Sequence, residues 1–138
     1  MTTPRQASLS LIQNYYDTFN SGDRNAFLEL LAEGVVHDIN QGGLEIGREA
    51  FEHFLQRMDR SYAEQVEELQ VFASEDGSRG AAEFYISGQY RHTDEGLPPA
   101  TGQVYRLRVG AFFDIRDGKI SRVTNYYNLQ SWLQQIGE

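Results

Sequence analysis

Cysteine is absent from the 138-residue sequence. That excludes a disulfide scaffold, a thiol nucleophile and any thiolate metal site. Positive charge is scarce, with 12 Lys and Arg against 20 Asp and Glu for a net charge of −8. A phosphate-binding surface needs a basic face, so nucleic acid and anionic membrane are poor partners. There is no apolar run of about 18 residues, and the N-terminus lacks the apolar stretch of a signal peptide. A soluble, cytoplasmic protein is therefore expected. The three histidines, His37, His53 and His92, form no HxH or HExxH spacing with one another or with the acids, so no metal site is expected. What the sequence does have is 40% apolar residues and a supply of eight Tyr, eight Phe and one Trp. That suffices for a single domain over residues 1–138, without repeats, linkers or low-complexity tracts.

The hydrophobic period changes halfway along the chain. Leu11, Ile12, Tyr15, Tyr16 and Phe19 mark one face of a helix over Pro4 to Asn20. Gly22 suits the left-handed position past its end, and Asp23 the N-cap of the next helix. That second helix carries Ala26, Phe27, Leu30 and Leu31 and is expected to end at Gly34. A short strand over Val35 to Gln41 breaks at Gly42-Gly43. Gly47-Arg48-Glu49 opens a third helix with Phe51, Phe54, Leu55, Met58 and Tyr62 on one stripe. From Gln65 to Ser74 alternation is irregular. Asp76-Gly77 and Asp117-Gly118 are hairpin signals. Ala82, Phe84, Ile86, Gly88 and Tyr90 alternate in one long strand. Tyr105, Leu107, Val109, Ala111, Phe113 and Ile115 alternate in the next. Val123 to Leu129 is the last strand, and Ser131 to Ile136 forms an amphipathic tail. Helices first and a strand meander second predict an α+β protein, a curved antiparallel sheet with three N-terminal helices on one side, leaving a cone-shaped hollow where the layers diverge.

Period two puts Val36, Asp38 and Asn40 on one face of the short strand and His37 on the other. With the Asp38 face inward, its carboxylate would be partly desolvated and suited to general-base work. His37 then belongs to the outer face or a subunit contact, His53 to the surface, and His92 to a strand end. Tyr15 lies on the apolar stripe of the first helix, as a core aromatic or as a neutral donor to a developing enolate. Arg106 and Arg108 point away from the hollow, toward cross-strand partners such as Glu83 or Asp114.

Several blocks together resemble the nuclear-transport-factor-2-like superfamily. They are Tyr15-Tyr16-Asp17-Thr18-Phe19-Asn20-Ser21-Gly22-Asp23, Val35-Val36-His37-Asp38, Gly47-Arg48-Glu49-Ala50-Phe51 and Phe113-Asp114-Ile115-Arg116-Asp117-Gly118-Lys119-Ile120. Within it the chain resembles the ketosteroid-isomerase-related and SnoaL-like branch. The resemblance implies Asp38 as base and Tyr15 as hydroxyl donor. The position of the isomerases' protonated acid falls on Ala111 or Gly110, neither of which donates. It also implies an inner face on the last strand. Asn125 and Tyr127, with Asn40, Phe54, Tyr90 and Tyr105, are then expected to contact a small hydrophobic ligand. No cofactor is implied, and the outer sheet face is expected to form a homodimer. The function expected is a cofactor-independent isomerase or cyclase acting on a small hydrophobic carbonyl compound by carboxylate-base proton abstraction. The alternatives are a small-molecule-binding module without turnover and, more weakly, a protein-interaction scaffold.

Overall fold

A computed structural model describes residues 1–137 of the chain. Helix α1 spans Pro4–Ser21. Thr3 and Gln6 close a capping box at its start, Pro4 occupies its first turn, and Gly22 ends it at φ 81°. Asp23 accepts from the Ala26 amide and starts α2, Arg24–Glu29. This second helix stops five residues before Gly34. Strand β1 already runs from Leu31 to Ile39, so Gly34 lies within a strand and does not end the helix. A strand absent from the sequence reading, β2 (Leu44–Ile46), folds back on β1 and brings Glu45 opposite His37. Then follow α3 (Arg48–Ser61), β3 (Tyr62–Ala73), β4 (Arg79–Tyr90), β5 (Val104–Arg116), β6 (Lys119–Tyr126) and α4 (Leu129–Gly137).

The six strands form one sheet in the order β2-β1-β6-β5-β4-β3. All pairs are antiparallel except β1 and β6, which run parallel. Both predicted hairpins are present, with Gly77 at φ 74° and Asp117 and Gly118 at 52° and 73°. Two positive φ values in succession are the signature of a type I′ turn, which matches strand twist. Register shifts in β1, in β3 between Glu67 and Gln70, and between Asp114 and Ile115 bend the sheet. The β3 bulge, with Glu68 at φ 54°, accounts for the irregular alternation there.

One sheet face carries Val35, Ala82, Phe84, Ile86, Leu107, Val109, Ala111, Phe113 and Val123, all buried together with Ile12, Tyr15, Tyr16, Phe51 and Leu55 of the helices. The other face is open. It exposes Leu44, Ile46, Phe72, Phe112 and Tyr126. Between them Arg79 and Arg122 each bond Asp114 at 2.9 Å. Arg106 and Arg108 lie on this face as expected, but with other partners. Arg106 pairs with Glu67 and Glu68 and stacks on Tyr85, whose hydroxyl accepts from Arg108. No helix among the described residues is long and apolar enough to cross a membrane.

Candidate functional site

The facing of β1 is opposite to expectation. His37 points inward and is 3% exposed. Its ring stacks on Phe51 at 4.4 Å and meets Phe54 edge-on at 4.5 Å. Asp38 faces the outer side in one row with Leu44, Thr124, Phe112, Ala81 and Phe72, and its carboxylate accepts from Thr124 at 3.3 Å. Asn40, which follows Asp38 in phase, is exposed. Two aromatic rings on α3 accept an imidazole, and β2 supplies Glu45 at 3.6 Å from Nδ1. Burial lowers the His37 pKa, against the opposing pull of Glu45.

Besides Glu45, a second carboxylate lies on the inner face, that of Glu64 of β3, which is not among the residues expected from the sequence. It sits between Tyr62 and Val66, both buried. The row Glu64, Gly88, Tyr105 crosses three strands. Gly88 has no side chain, so the Tyr105 ring lies across it and its hydroxyl donates to Glu64 Oε2. A Cβ at Gly88 would fall 2.2 Å from the Tyr105 ring. Burial raises the Glu64 pKa above the usual carboxylate range, while the Tyr105 hydrogen bond and Arg24 draw it back and Asp59 adds to the rise. The same negative charge reinforces the effect of burial in raising the phenols of Tyr105 and Tyr127. Trp132 of α4 closes the cluster, at 5.8 Å from Tyr62, 6.1 Å from Tyr105 and 6.4 Å from Tyr127.

The other expected residues do not converge on one place. Tyr105 and Tyr127 join the Glu64 cluster. Asn125 lies on the inner face in the row Ile39, Asn125, Ala111, Ala82. Phe54 packs on His37. Tyr15 is buried among Tyr16, Phe27 and Phe113, and burial holds its phenol above the usual range, with Arg24 pulling the other way. Tyr90 has a different task. Its hydroxyl donates to the Pro98 carbonyl at 2.7 Å and accepts from the Asp94 amide at 2.9 Å, pinning the β4–β5 loop. Tyr62 donates to Asp94 at 2.9 Å from the same side. His53 and His92 are exposed. Among the described residues no group of three His, Asp or Glu gathers as a metal site would require.

Tyr62, Tyr105, Tyr127 and Trp132 form one aromatic cluster, joined to Glu64 through the Tyr105 hydroxyl. Two surface grooves are present, one of about 480 Å³ between α1 and β3 and one of about 190 Å³ on the outer face beside Phe72 and Phe112. Neither reaches Glu64. The buried Tyr16 hydroxyl and His37 Nδ1 have no hydrogen-bond partner among the described residues. Such groups cost free energy unless something else engages them.

Residues 12–123 match the SnoaL-like domain. The chain is 56% identical to a protein from Xanthomonas campestris pv. campestris described as a "putative polyketide cyclase", with a TM-score of 0.95 over 97% of this chain and 99% of that one. A second structure described in the same words, from Pseudomonas putida KT2440, is 50% identical, with a TM-score of 0.93 over 99% of both chains. An LEH-like epoxide hydrolase from M. tuberculosis shares the fold at 13% identity, with a TM-score of 0.79 over 99% of this chain and 89% of that one. Among curated proteins, none matches the sequence.

Proposed function

Because the chain belongs to the SnoaL-like domain family, we propose that it is a cofactor-independent cyclase or isomerase that removes a proton beside a carbonyl, with Glu64 and not Asp38 as the base. The observation that carries this reading is an inner-face carboxylate that is hydrogen-bonded to a phenol and raised by burial. Glu64 takes the acidic C–H proton of a small hydrophobic carbonyl compound, the C–H bonding pair forms a C=C bond, and the carbonyl π pair moves onto the oxygen. Tyr127, whose phenol is raised by burial and by the Glu64 charge and whose hydroxyl is unengaged among the described residues, donates to that oxygen as a neutral phenol. In an isomerase the proton returns at another carbon. In a cyclase the enolate carbon attacks a second carbonyl of the same molecule, a C–C bond forms, and Glu64 returns the proton to the new alkoxide. Tyr105 positions the carboxylate and tunes it.

The test uses β-tetralone, a hydrophobic ketone with an acidic C–H, alongside a panel of enones and β-keto compounds. Exchange of the β-tetralone proton in heavy water is followed by proton NMR. Tyr105→Phe removes the hydrogen bond that lowers the Glu64 pKa, so the acid limb of the pH–rate profile moves upward. An unmoved limb takes Glu64 out of the mechanism. The aromatic cluster joined to Glu64 also suits a second reading, a binding module without turnover. It predicts no exchange by the wild type on any member of the panel.

We also propose that the outer sheet face pairs with a second copy of the chain. Leu44, Ile46, Phe72, Phe112 and Tyr126 make an apolar patch, and Arg79, Asp114 and Arg122 place both charge signs within it, as a self-complementary two-fold contact requires. Sedimentation equilibrium should give a dimer, and Phe112→Glu a monomer of unchanged fold. A wild-type monomer, or a dimer that survives the substitution, contradicts the assignment.

A further inference from the structure

The family match ends at Val123, and α4 lies beyond it. This helix has nine residues and no charge, too short to be stable without packing. It lies against β5 past the end of β6, where the β5 edge lacks a strand partner. There Gln135 stands in for one. Its Oε1 accepts from the Arg106 amide at 2.8 Å, and its Nε2 donates to the Arg106 carbonyl at 3.1 Å. Gln103 donates to the Ile136 carbonyl at 2.7 Å. Ile136 is fully buried, whereas Trp132 and Leu133 are only half-buried. The helix is thus anchored at its far end and holds its one large flat ring over the Glu64 cluster. Glutamine bonds at a solvated edge exchange for water at small net cost.

We propose that α4 is an internal competitor for the site: the Trp132 indole occupies the place of a ligand ring, and a planar fused-ring enol or phenol binds by displacing it. The ligand class follows from the surroundings. Three tyrosine rings, those of Tyr62, Tyr105 and Tyr127, frame the indole, and such a frame accepts a flat ring. A carboxylate with a neighbouring phenol accepts one acidic hydroxyl. The proposal rests on reading the Glu64 cluster as a ligand site, but it does not need Glu64 to be a base.

The probe is β-naphthol, the aromatic counterpart of enolised β-tetralone. Because the sequence has a single Trp, one indole N–H signal in a nitrogen–proton NMR spectrum reports Trp132 alone. Saturation with β-naphthol should move that signal to the position of tryptophan in water. Trp132→Ala and Gln135→Ala should each bind β-naphthol about tenfold more tightly, since the competent state no longer has to be freed. Weaker or unchanged binding by Trp132→Ala would show the indole to be a wall of the site and overturn the proposal. So would an indole signal that stays in place, or a lack of binding by all three proteins. Glu64→Gln should still release the indole on binding β-naphthol. Lost turnover with intact displacement therefore counts for the base and leaves the competitor standing, whereas intact turnover without displacement does the reverse.

Discussion

Glu64→Gln should reduce proton exchange of β-tetralone by about 10²- to 10⁴-fold, the usual contribution of a positioned general base. The amide keeps the size of the side chain and still accepts from Tyr105, so the loss is one of proton affinity and not of packing. Stability separates the two. The Glu64 carboxyl is raised by burial, so the native state holds its proton at a pH where the unfolded chain has released it. Its contribution to stability is fully present below the unfolded value of about 4.3 and is lost as pH rises through the higher native value. In Glu64→Gln that decline disappears. The variant should melt no lower than the wild type near neutral pH while being nearly inactive. A variant that melts well below the wild type, or that keeps its activity, contradicts the assignment.

Gly88→Ala should be among the most damaging single-methyl additions in the protein. The new Cβ would lie 2.2 Å from Cζ of Tyr105 and 2.5 Å from its hydroxyl oxygen, closer than any stable contact. Gly88 does not have a positive φ, so backbone strain plays no part and the whole effect comes from the ring. Tyr105 has to leave the row that joins it to Glu64. The expected cost is about 1–3 kcal/mol of stability, as for other overpacked interiors, together with the loss of the hydrogen bond that draws the Glu64 pKa down. The pH–rate profile should shift in the same direction as for Tyr105→Phe. Gly110→Ala is the control. Gly110 lies on the neighbouring strand, with nothing within 4 Å of a Cβ, and its substitution should be nearly neutral by both thermal melting and activity.

Much of the architecture is legible in the residues because local chemistry and long-range packing agree. Thr3, Pro4 and Gly22 delimit α1 on their own, and Asp117-Gly118 can hardly be anything but a tight turn. The alternation of β4 and β5 matches their burial along most of both strands, down to Ala111 as the inward residue and Gly110 as its neighbour. The errors arise where two periods coincide or a phase slips. Ala26, Phe27, Leu30 and Leu31 fit a helical stripe, yet over so short an apolar run a helix and a strand cannot be told apart, and β1 takes Leu31. Alternation in β1 separates His37 from Asp38 without saying which is inside. That choice depends on β2 bringing Glu45 and on Phe51 and Phe54 receiving the imidazole, all of them tertiary effects.

Glu64 escaped notice for a related reason. It belongs to a run with Glu67 and Glu68 that reads as a solvated face, and the bulge at Glu68 breaks the period that would have singled it out. The signal was present only in the first three alternate positions of the strand, Tyr62, Glu64 and Val66. Gly88, paired with Glu64 on one side and with Tyr105 on the other, is the second clue, since a glycine inside a strand marks a place where something approaches closely.

The central claim is that one carboxyl group, on the inner face of β3, is desolvated and held by a phenol. Carbon-13 NMR of the side-chain carboxyls, with Glu64 assigned by the signal missing in Glu64→Gln, measures it directly. The account predicts a titration midpoint for Glu64 clearly above the ordinary glutamate value of about 4.3, moving higher still in Tyr105→Phe. A midpoint at or below that value, unmoved by Tyr105→Phe, would contradict it.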